Sequence, residues 1–173
     1  MFTFLNKYKA LFISILIIVF GISIDQITKQ YALNTIQELE RKTNYIHHHI
    51  KVFNGFNIVL VYNKGVSFGI LNNNNKSTKY ILTSFIIMIT VFIGYLIVKS
   101  KNLWETITYS LIFTGAIGNI IDRFRYGAVV DFLDFYIKDY HWPAFNIADS
   151  LVVIGVILVL IVDFISKKIV VNK

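Results

Sequence analysis

Four long apolar runs alternate with polar connections along this chain of 173 residues. Each run approaches or reaches the ~20 residues that a helix needs to cross the hydrocarbon core of a membrane. The runs cover residues 8–29, 80–98, 104–122 and 145–166. The pattern therefore predicts an all-α membrane protein, in which a single domain over residues 1–173 contains four transmembrane helices.

Lysines cluster in the short segments before the first run, between the second and third runs, and after the fourth run. They are Lys7, Lys9, Lys99, Lys101, Lys167, Lys168 and Lys173. Short cytoplasmic segments of membrane proteins carry an excess of Lys and Arg. Both termini are therefore predicted to be cytoplasmic, and the two long connections, roughly residues 30–79 and 123–144, are predicted to be outer loops.

The first outer loop contains a segment of different character, residues 52–62, in which β-branched and aromatic residues flank a bend at Gly55. Such a composition predicts short β-strands. The second outer loop is long enough for a strand or a short helix.

The composition supports a membrane protein, with 55% hydrophobic and only 16% charged residues, against ~25% charged in soluble domains. The chain has no cysteine, which excludes disulfides, thiol catalysis and cysteine-bound metals. Its net charge of +7 comes from lysines scattered between the apolar runs. Membrane lipid is therefore the expected partner of this charge, and no nucleic acid is expected.

Polar side chains are concentrated at the rims of the last two apolar runs. The segments Gly118–Arg123 and Phe145–Ser150 each join such a run, and Val129–Phe132 lies between them. Polar groups next to hydrocarbon are costly and are usually kept for function. Asp131 lies in the loop that leaves the third run and Asp149 begins the fourth, so the two carboxylates are predicted to converge on one shallow pocket.

Two carboxylates within hydrogen-bond reach cannot both ionise easily, so one keeps a proton and the other stays basic. Such a pair draws a proton from water, which attacks a peptide carbonyl that the protonated partner polarises. No metal or cofactor is needed. The structural alternatives are a solvated loop carboxylate at Asp131 and, at Asp149, a first-turn residue of a helix that Asn146 caps.

Other polar residues near these rims are candidates for supporting roles. Asn119 and Arg123 are four residues apart and so share a helix face; with Asn63 they are placed to hold a substrate carbonyl and orient the aspartates. Binding of lipid phosphate is the alternative for Arg123. Asp25 and Lys29 are also four residues apart, and a structural ion pair is the favoured interpretation.

Three adjacent histidines, His47, His48 and His49, raise the question of a metal site. Adjacent side chains in a strand or loop point in different directions, and no acidic residues are evident nearby to orient them. No metal is therefore predicted.

The chain contains five polar motifs in this order: Asp25–Lys29, Asn63–Gly69, Gly115–Arg123, Val129–Phe132 and Phe145–Ser150. In identity and spacing they resemble the lipoprotein signal peptidases, the type II signal peptidase family of bacterial membranes. The resemblance covers nearly the whole chain, and the last three motifs together are specific. One departure lies in the second motif, which reads Gly-Val-Ser at residues 65–67 where the family commonly has Gly-Ala-Ala.

The resemblance implies an aspartic endopeptidase of the bacterial plasma (inner) membrane, with its active site at the outer face. Its substrates would be diacylglyceryl-modified prolipoproteins, cut just before the lipidated cysteine, and globomycin-type cyclic peptides and myxovirescin would inhibit it. The implied fold has four transmembrane helices, a small extracytoplasmic β-cradle and a short helix at the membrane surface. A monomer is expected.

The same resemblance assigns roles to residues. Asp131 and Asp149 would form the catalytic dyad. Substrate-binding or supporting roles would fall to Asn63, Gly65, Asn119, Arg123, Asn146, Asp25 and Lys29.

Two alternatives come from other functional classes. The first is a small transporter or channel subunit that uses rim carboxylates for ion passage, and the second is a non-catalytic membrane scaffold. Flux in liposomes without proteolysis would indicate a transporter, whereas cleavage of a lipidated prolipoprotein would indicate the peptidase.

Overall fold

The structure is a computed structural model, and it describes residues 4–44, 49–65 and 76–171. Two pairs of strands separate the helices along the chain. In chain order they are α1 (Phe4–Thr43), β1 (His49–Phe53), β2 (Phe56–Asn63), α2 (Lys76–Lys99), α3 (Leu103–Tyr126), β3 (Val129–Ile137), β4 (Tyr140–His141) and α4 (Ile147–Val171). The protein is thus mostly helical with a small antiparallel sheet, as the sequence predicts.

Helix α3 is the centre of the bundle and packs against α1, α2 and α4. Its buried face is made mainly of small and hydroxyl residues. Ser110, for example, donates to the carbonyl of Thr106 over 2.6 Å and contacts the hydroxyl of Ser14 on α1 at 2.7 Å. At Gly115 even a single added carbon would collide with the carbonyl oxygen of Ala148 on α4. Small residues therefore let the neighbouring helices approach α3 closely.

Three of the described helices contain segments long and apolar enough to cross a membrane: Asn6–Thr43, Tyr80–Lys99 and Ile147–Phe164. They correspond to three of the four predicted spans. Their large apolar side chains are mostly exposed, for instance Phe20 on α1, Val91 on α2 and Leu160 on α4. Helix α3 is less apolar because its buried polar face turns toward the other helices. A fourth span at α3 stays a prediction.

Helix α1 continues well beyond the predicted span, through Thr43. Residues 30–43, assigned to an outer loop from the sequence, are therefore helical. The physical reason is an apolar face formed by Ala32, Leu33 and Ile36, which are all buried, while α1 packs against β2 and β3. The expected short helix at the membrane surface is not a separate element within the described ranges.

The four strands form one antiparallel sheet in the order β1-β2-β3-β4. The predicted strands of the first outer loop are confirmed as the hairpin of β1 and β2, which turns at Gly55 with a φ of 99°. Strand β3 pairs with β2, with Asp131 opposite Val61 and Asn63 opposite Val129. Asp131 therefore lies in a strand of the second outer loop, which the sequence predicts to be long enough for a strand or a short helix. Its neighbours along the chain are β-branched and aromatic residues, which favour a strand.

Candidate active site

Asp131 is held in the sheet with 1% of its surface exposed. Its Oδ2 accepts a hydrogen bond of 3.0 Å from Nδ2 of Asn63, and its Oδ1 accepts one of 2.7 Å from Nδ2 of Asn146. Asn63 reaches it because Asn63 lies at the end of β2, diagonally across from Asp131 in the antiparallel pairing. Both carboxylate oxygens are therefore oriented by neutral amide donors.

Asp149 lies in the first turn of α4. Its backbone amide donates to Oδ1 of Asn146 over 2.8 Å, and the amide of Asn146 donates back to Oδ2 of Asp149 over 3.3 Å. This reciprocal pair is the arrangement of a capping box, so the predicted cap at Asn146 is present. The remaining oxygen, Oδ1 of Asp149, accepts a hydrogen bond of 2.7 Å from Nδ2 of Asn119.

Pairing of Phe145 with Leu133 brings the start of α4 to strand β3. The amide of Phe145 donates to the carbonyl of Leu133 over 3.1 Å, and the amide of Leu133 donates to the carbonyl of Phe145 over 2.9 Å. Asn146, the next residue, is fully buried and bonds to both Asp131 and Asp149. The structure thus places the two predicted aspartates around one asparagine.

The surroundings of Asp131 favour its protonated form. Burial raises the pKa of this carboxyl from 3.8 to about 6, and the negative charge of Asp149 adds to the increase. Hydrogen bonds from Asn63 and Asn146 and the positive charge of Lys29 act in the opposite direction without cancelling it. Asp131 therefore holds a proton at pH values where an ordinary carboxyl is ionised.

Arg123 and Gly65 border the same cluster. The Nη1 atom of Arg123 donates to the carbonyl of Asn119 over 3.2 Å, and its charge interacts with Asp149 and Asp131. The amide of Gly65 donates to Oδ1 of Asn63 over 2.8 Å, which fixes the direction of the Asn63 amide toward Asp131. Gly65 has a φ of 94°, a left-handed conformation that favours glycine.

Asp25 and Lys29 form the predicted ion pair, with Nζ of Lys29 2.8 Å from Oδ2 of Asp25. The pair is buried, and Asp122 of α3 joins it with Oδ2 2.8 Å from the same Nζ. Sequence reasoning missed Gln26, whose Nε2 donates to Asp25 over 3.1 Å and to Asp122 over 3.0 Å. Its position next to Asp25 in the first motif could have indicated a supporting role. Its contact with Asp122 could not be predicted, because Asp122 is on another helix, α3.

The histidine run and the second motif are only partly covered by the described residues. His47, His48 and residues 66–69 of the second motif lie outside the described residues. His49 is exposed on the edge strand β1. Among the described side chains, no group of three or more His, Cys, Asp or Glu is placed to hold a metal ion.

Helices of membrane-spanning length, with two aspartates that bond to one buried asparagine, are typical of a membrane protein. A family model described as signal peptidase (SPase) II matches residues 17–171. The chain is 39% identical over 166 residues to the lipoprotein signal peptidase of Francisella tularensis subsp. novicida, covering 94% of this chain and 95% of that protein. It is also 39% identical over 156 residues to the lipoprotein signal peptidase of Buchnera aphidicola subsp. Schizaphis graminum, covering 89% of this chain and 95% of that protein.

The fold is similar to that of a bacterial membrane enzyme solved by the in meso method at 1.9 Å resolution. The TM-score is 0.70 at 39% sequence identity, over 86% of this chain and 90% of that one. The chain therefore belongs to the signal peptidase II family, a family of aspartic peptidases, and is a membrane enzyme.

Proposed function

We propose that this peptidase removes the signal peptide from diacylglyceryl-modified prolipoproteins, cutting just before the lipidated cysteine, with Asp131 and Asp149 as its catalytic dyad. The observation that carries the proposal is the shared contact with Asn146, which bonds to one oxygen of each carboxylate. A dyad needs two acidic groups in one place with different proton affinities. Deep burial raises the pKa of Asp131, and Asp149 is only partly buried.

In the proposed reaction, ionised Asp149 takes a proton from a bound water, which attacks the carbonyl carbon of the scissile peptide. Protonated Asp131 donates a hydrogen bond to the carbonyl oxygen, on which negative charge develops. When the carbon–nitrogen bond breaks, the amine nitrogen takes a proton from the dyad, which is thereby restored.

Asn63, Asn119, Asn146 and Arg123 keep these two groups oriented. Each asparagine donates an amide hydrogen to an aspartate, so the carboxylate oxygens cannot rotate freely. Arg123 adds positive charge next to both aspartates and, with Asn63, is placed to hold the substrate carbonyl. Pre-organisation of this kind lowers the barrier because no reorientation is needed during the reaction.

The membrane arrangement fits such a substrate. We propose that α3 is the fourth span, because its 24 residues extend about 36 Å, longer than the hydrocarbon core of about 30 Å. Both termini would be cytoplasmic, which places the dyad at the outer ends of α3 and α4.

A diacylglyceryl group keeps the substrate in the bilayer, so its scissile bond lies at a shallow, fixed depth. The enzyme would act as a monomer in contact with lipid, and globomycin-type peptides would occupy the dyad.

The test is cleavage of a lipidated prolipoprotein by the purified protein in detergent or liposomes. Asp131→Asn and Asp149→Asn should each reduce cleavage to background while leaving the protein folded. The matched control is Asp134→Asn. Asp134 is also a buried aspartate of β3 and also accepts a hydrogen bond from an asparagine of β2, Asn57, over 2.8 Å.

The control carboxylate is three residues from Asp131 and bonds to His141 instead of the dyad residues. Asp134→Asn should therefore retain cleavage. Normal cleavage by either dyad variant would refute the assignment. Ion flux through liposomes without proteolysis would favour the transporter alternative.

A further inference from the structure

A buried bridge of three charged residues lies beneath the dyad. Nζ of Lys29 on α1 is 2.8 Å from Asp25 and 2.8 Å from Asp122, and all three side chains are at most 2% exposed. Gln26 donates to both carboxylates as well. Burying three charges is costly, and such a cluster often stabilises a fold no better than apolar residues would. Its contacts with the chain around the dyad indicate a more specific role.

Each carboxylate of the bridge holds the residue that immediately precedes one dyad aspartate. Oδ2 of Asp122 accepts a hydrogen bond of 3.1 Å from the amide of Val130, the residue before Asp131. Oδ1 of Asp25 accepts one of 2.8 Å from the amide of Ala148, the residue before Asp149. The amide of Ala148 belongs to the first turn of α4, where backbone donors have no partner within the helix.

Lys29 also acts on the side chain of Asn119. Oδ1 of Asn119 accepts hydrogen bonds of 3.3 Å from Nζ of Lys29 and of 3.3 Å from Nδ2 of Asn146. With its oxygen so engaged, Asn119 must present its Nδ2 to Asp149, which it does at 2.7 Å. The orientation of this amide therefore depends on Lys29 together with Asn146.

We propose that Lys29 is a positioning residue that sets the geometry of both halves of the dyad at once. It fixes the Asp131 half through Asp122 and Val130, and the Asp149 half through Asp25 and Ala148. This inference rests on the proposed function of the dyad. Lys29 is buried against Asp25, Asp122 and Asn119, so its loss should slow the chemical step and leave substrate binding nearly unchanged.

The test compares Lys29→Met with Lys42→Met in the purified full chain. Lys42 is a matched control because it also pairs with an acidic residue four positions away on α1, Glu38 at 2.6 Å, but in an exposed place. For folded protein isolated as a monodisperse peak, Lys29→Met should lower kcat for a lipidated peptide at least about tenfold, since small misplacements of reacting groups are costly. Its KM should stay within about twofold, as expected for a loss confined to the transition state. Lys42→Met should match the parent in both.

A second variant covers the case in which Lys29→Met does not fold. Asp122→Asn removes one of the two carboxylates and leaves Lys29 facing Asp25 alone, so no buried carboxylate of the bridge loses its cation. It also keeps a side-chain oxygen for Val130. Its kcat should fall with KM unchanged. The reason is that Lys29 loses its ion pair with residue 122, which holds the segment that carries Asp131 through the amide of Val130.

The pH profile gives a signature that a purely structural role would not produce. The charged groups acting on Asp131 are Lys29 of α1, Arg123 of α3 and Asp149 of α4. Removing the cation in Lys29→Met should move the alkaline limb of kcat to higher pH. Removing an anion in Asp122→Asn leaves Lys29 less neutralised and should move the limb to lower pH.

Wild-type kcat and pH profile in the folded variants would overturn the proposal. So would a lower yield of folded protein with unchanged kcat per folded molecule, since that result means Lys29 only stabilises the fold. Asp131→Asn separates this outcome from failure of the proposed function. If Asp131→Asn is inactive while Lys29→Met and Asp122→Asn behave as wild type, only the positioning role is wrong.

Discussion

Nδ2 of Asn146 donates a hydrogen bond of 2.7 Å to Oδ1 of Asp131, from a position three residues before Asp149. The same asparagine immediately precedes α4 and caps it, because its Oδ1 accepts a hydrogen bond from the amide of Asp149. One side chain therefore serves as helix cap and as the connection between the two acidic groups. Stability of α4 and geometry of the dyad depend on the same few atoms, and this coupling can be tested.

Asn146→Ala should affect both properties. The lost cap should destabilise the protein by about 1 kcal/mol, and the loss of the Asp131 contact should lower kcat about 100-fold, as for other misplacements of a catalytic group. Thermal unfolding in detergent and cleavage of a lipidated peptide measure the two effects. Asn34→Ala is the control, because Asn34 is an exposed residue of α1 that bonds only to its neighbour Gln30 in the described structure. Equal kcat in the two variants would contradict the role given to Asn146.

The raised pKa of Asp131 predicts a pH dependence of stability. Burial lifts this pKa from 3.8 to about 6 in the folded protein, so the folded state binds the proton more tightly than the unfolded state. The resulting stabilisation is complete below the unfolded pKa and is lost as pH rises through about 6, by about 3 kcal/mol in total. The melting temperature of the wild type should therefore fall between pH 4 and pH 7 relative to that of Asp131→Asn.

Taking the difference between the two proteins cancels the titration of groups that they share. A melting-temperature difference that stays constant across this pH range would show that Asp131 has an ordinary pKa.

Asn63→Ala tests the donor on the other side of Asp131. The hydrogen bond from Asn63 holds the pKa of Asp131 down against the effect of burial, so its removal should raise that pKa further. The alkaline limb of the activity profile should move to higher pH, and kcat should decrease because Asp131 is less well oriented. Asn57→Ala is the control on the same strand, since Asn57 bonds to Asp134. An identical pH profile in both variants would contradict the prediction.

Gly115→Ala should disturb the contact between α3 and α4. An added carbon would collide with the carbonyl oxygen of Ala148 and lie 2.7 Å from the side chain of Val152. Backbone cannot move aside cheaply, so overpacking of about 1–3 kcal/mol is expected, together with loss of activity because Ala148 precedes Asp149. Gly94→Ala is the control, since its nearest neighbour is a movable ring atom of Phe113 at 3.2 Å. The measurement is the melting temperature, which should be lower for Gly115→Ala than for Gly94→Ala.

The amino-acid sequence by itself determined the features that depend on neighbours along the chain. Long apolar runs predict four spans, to three of which helices of membrane-spanning length correspond, and β-branched and aromatic residues around Gly55 predict the strands of the hairpin. The motifs around Asp131 and Asp149 indicate the enzyme family. These predictions succeed because hydrophobicity and backbone preference act locally.

Only the tertiary structure decided the features that depend on distant partners. It joined Asp131 and Asp149 through Asn146, extended α1 through Thr43, and enclosed the Asp25–Lys29 pair with Asp122. The hydrogen bond from Ala148 to Asp25 joins residues 123 positions apart. No local pattern encodes such a contact, because it exists only once the helices have packed and removed these polar groups from water, where they must find each other as partners.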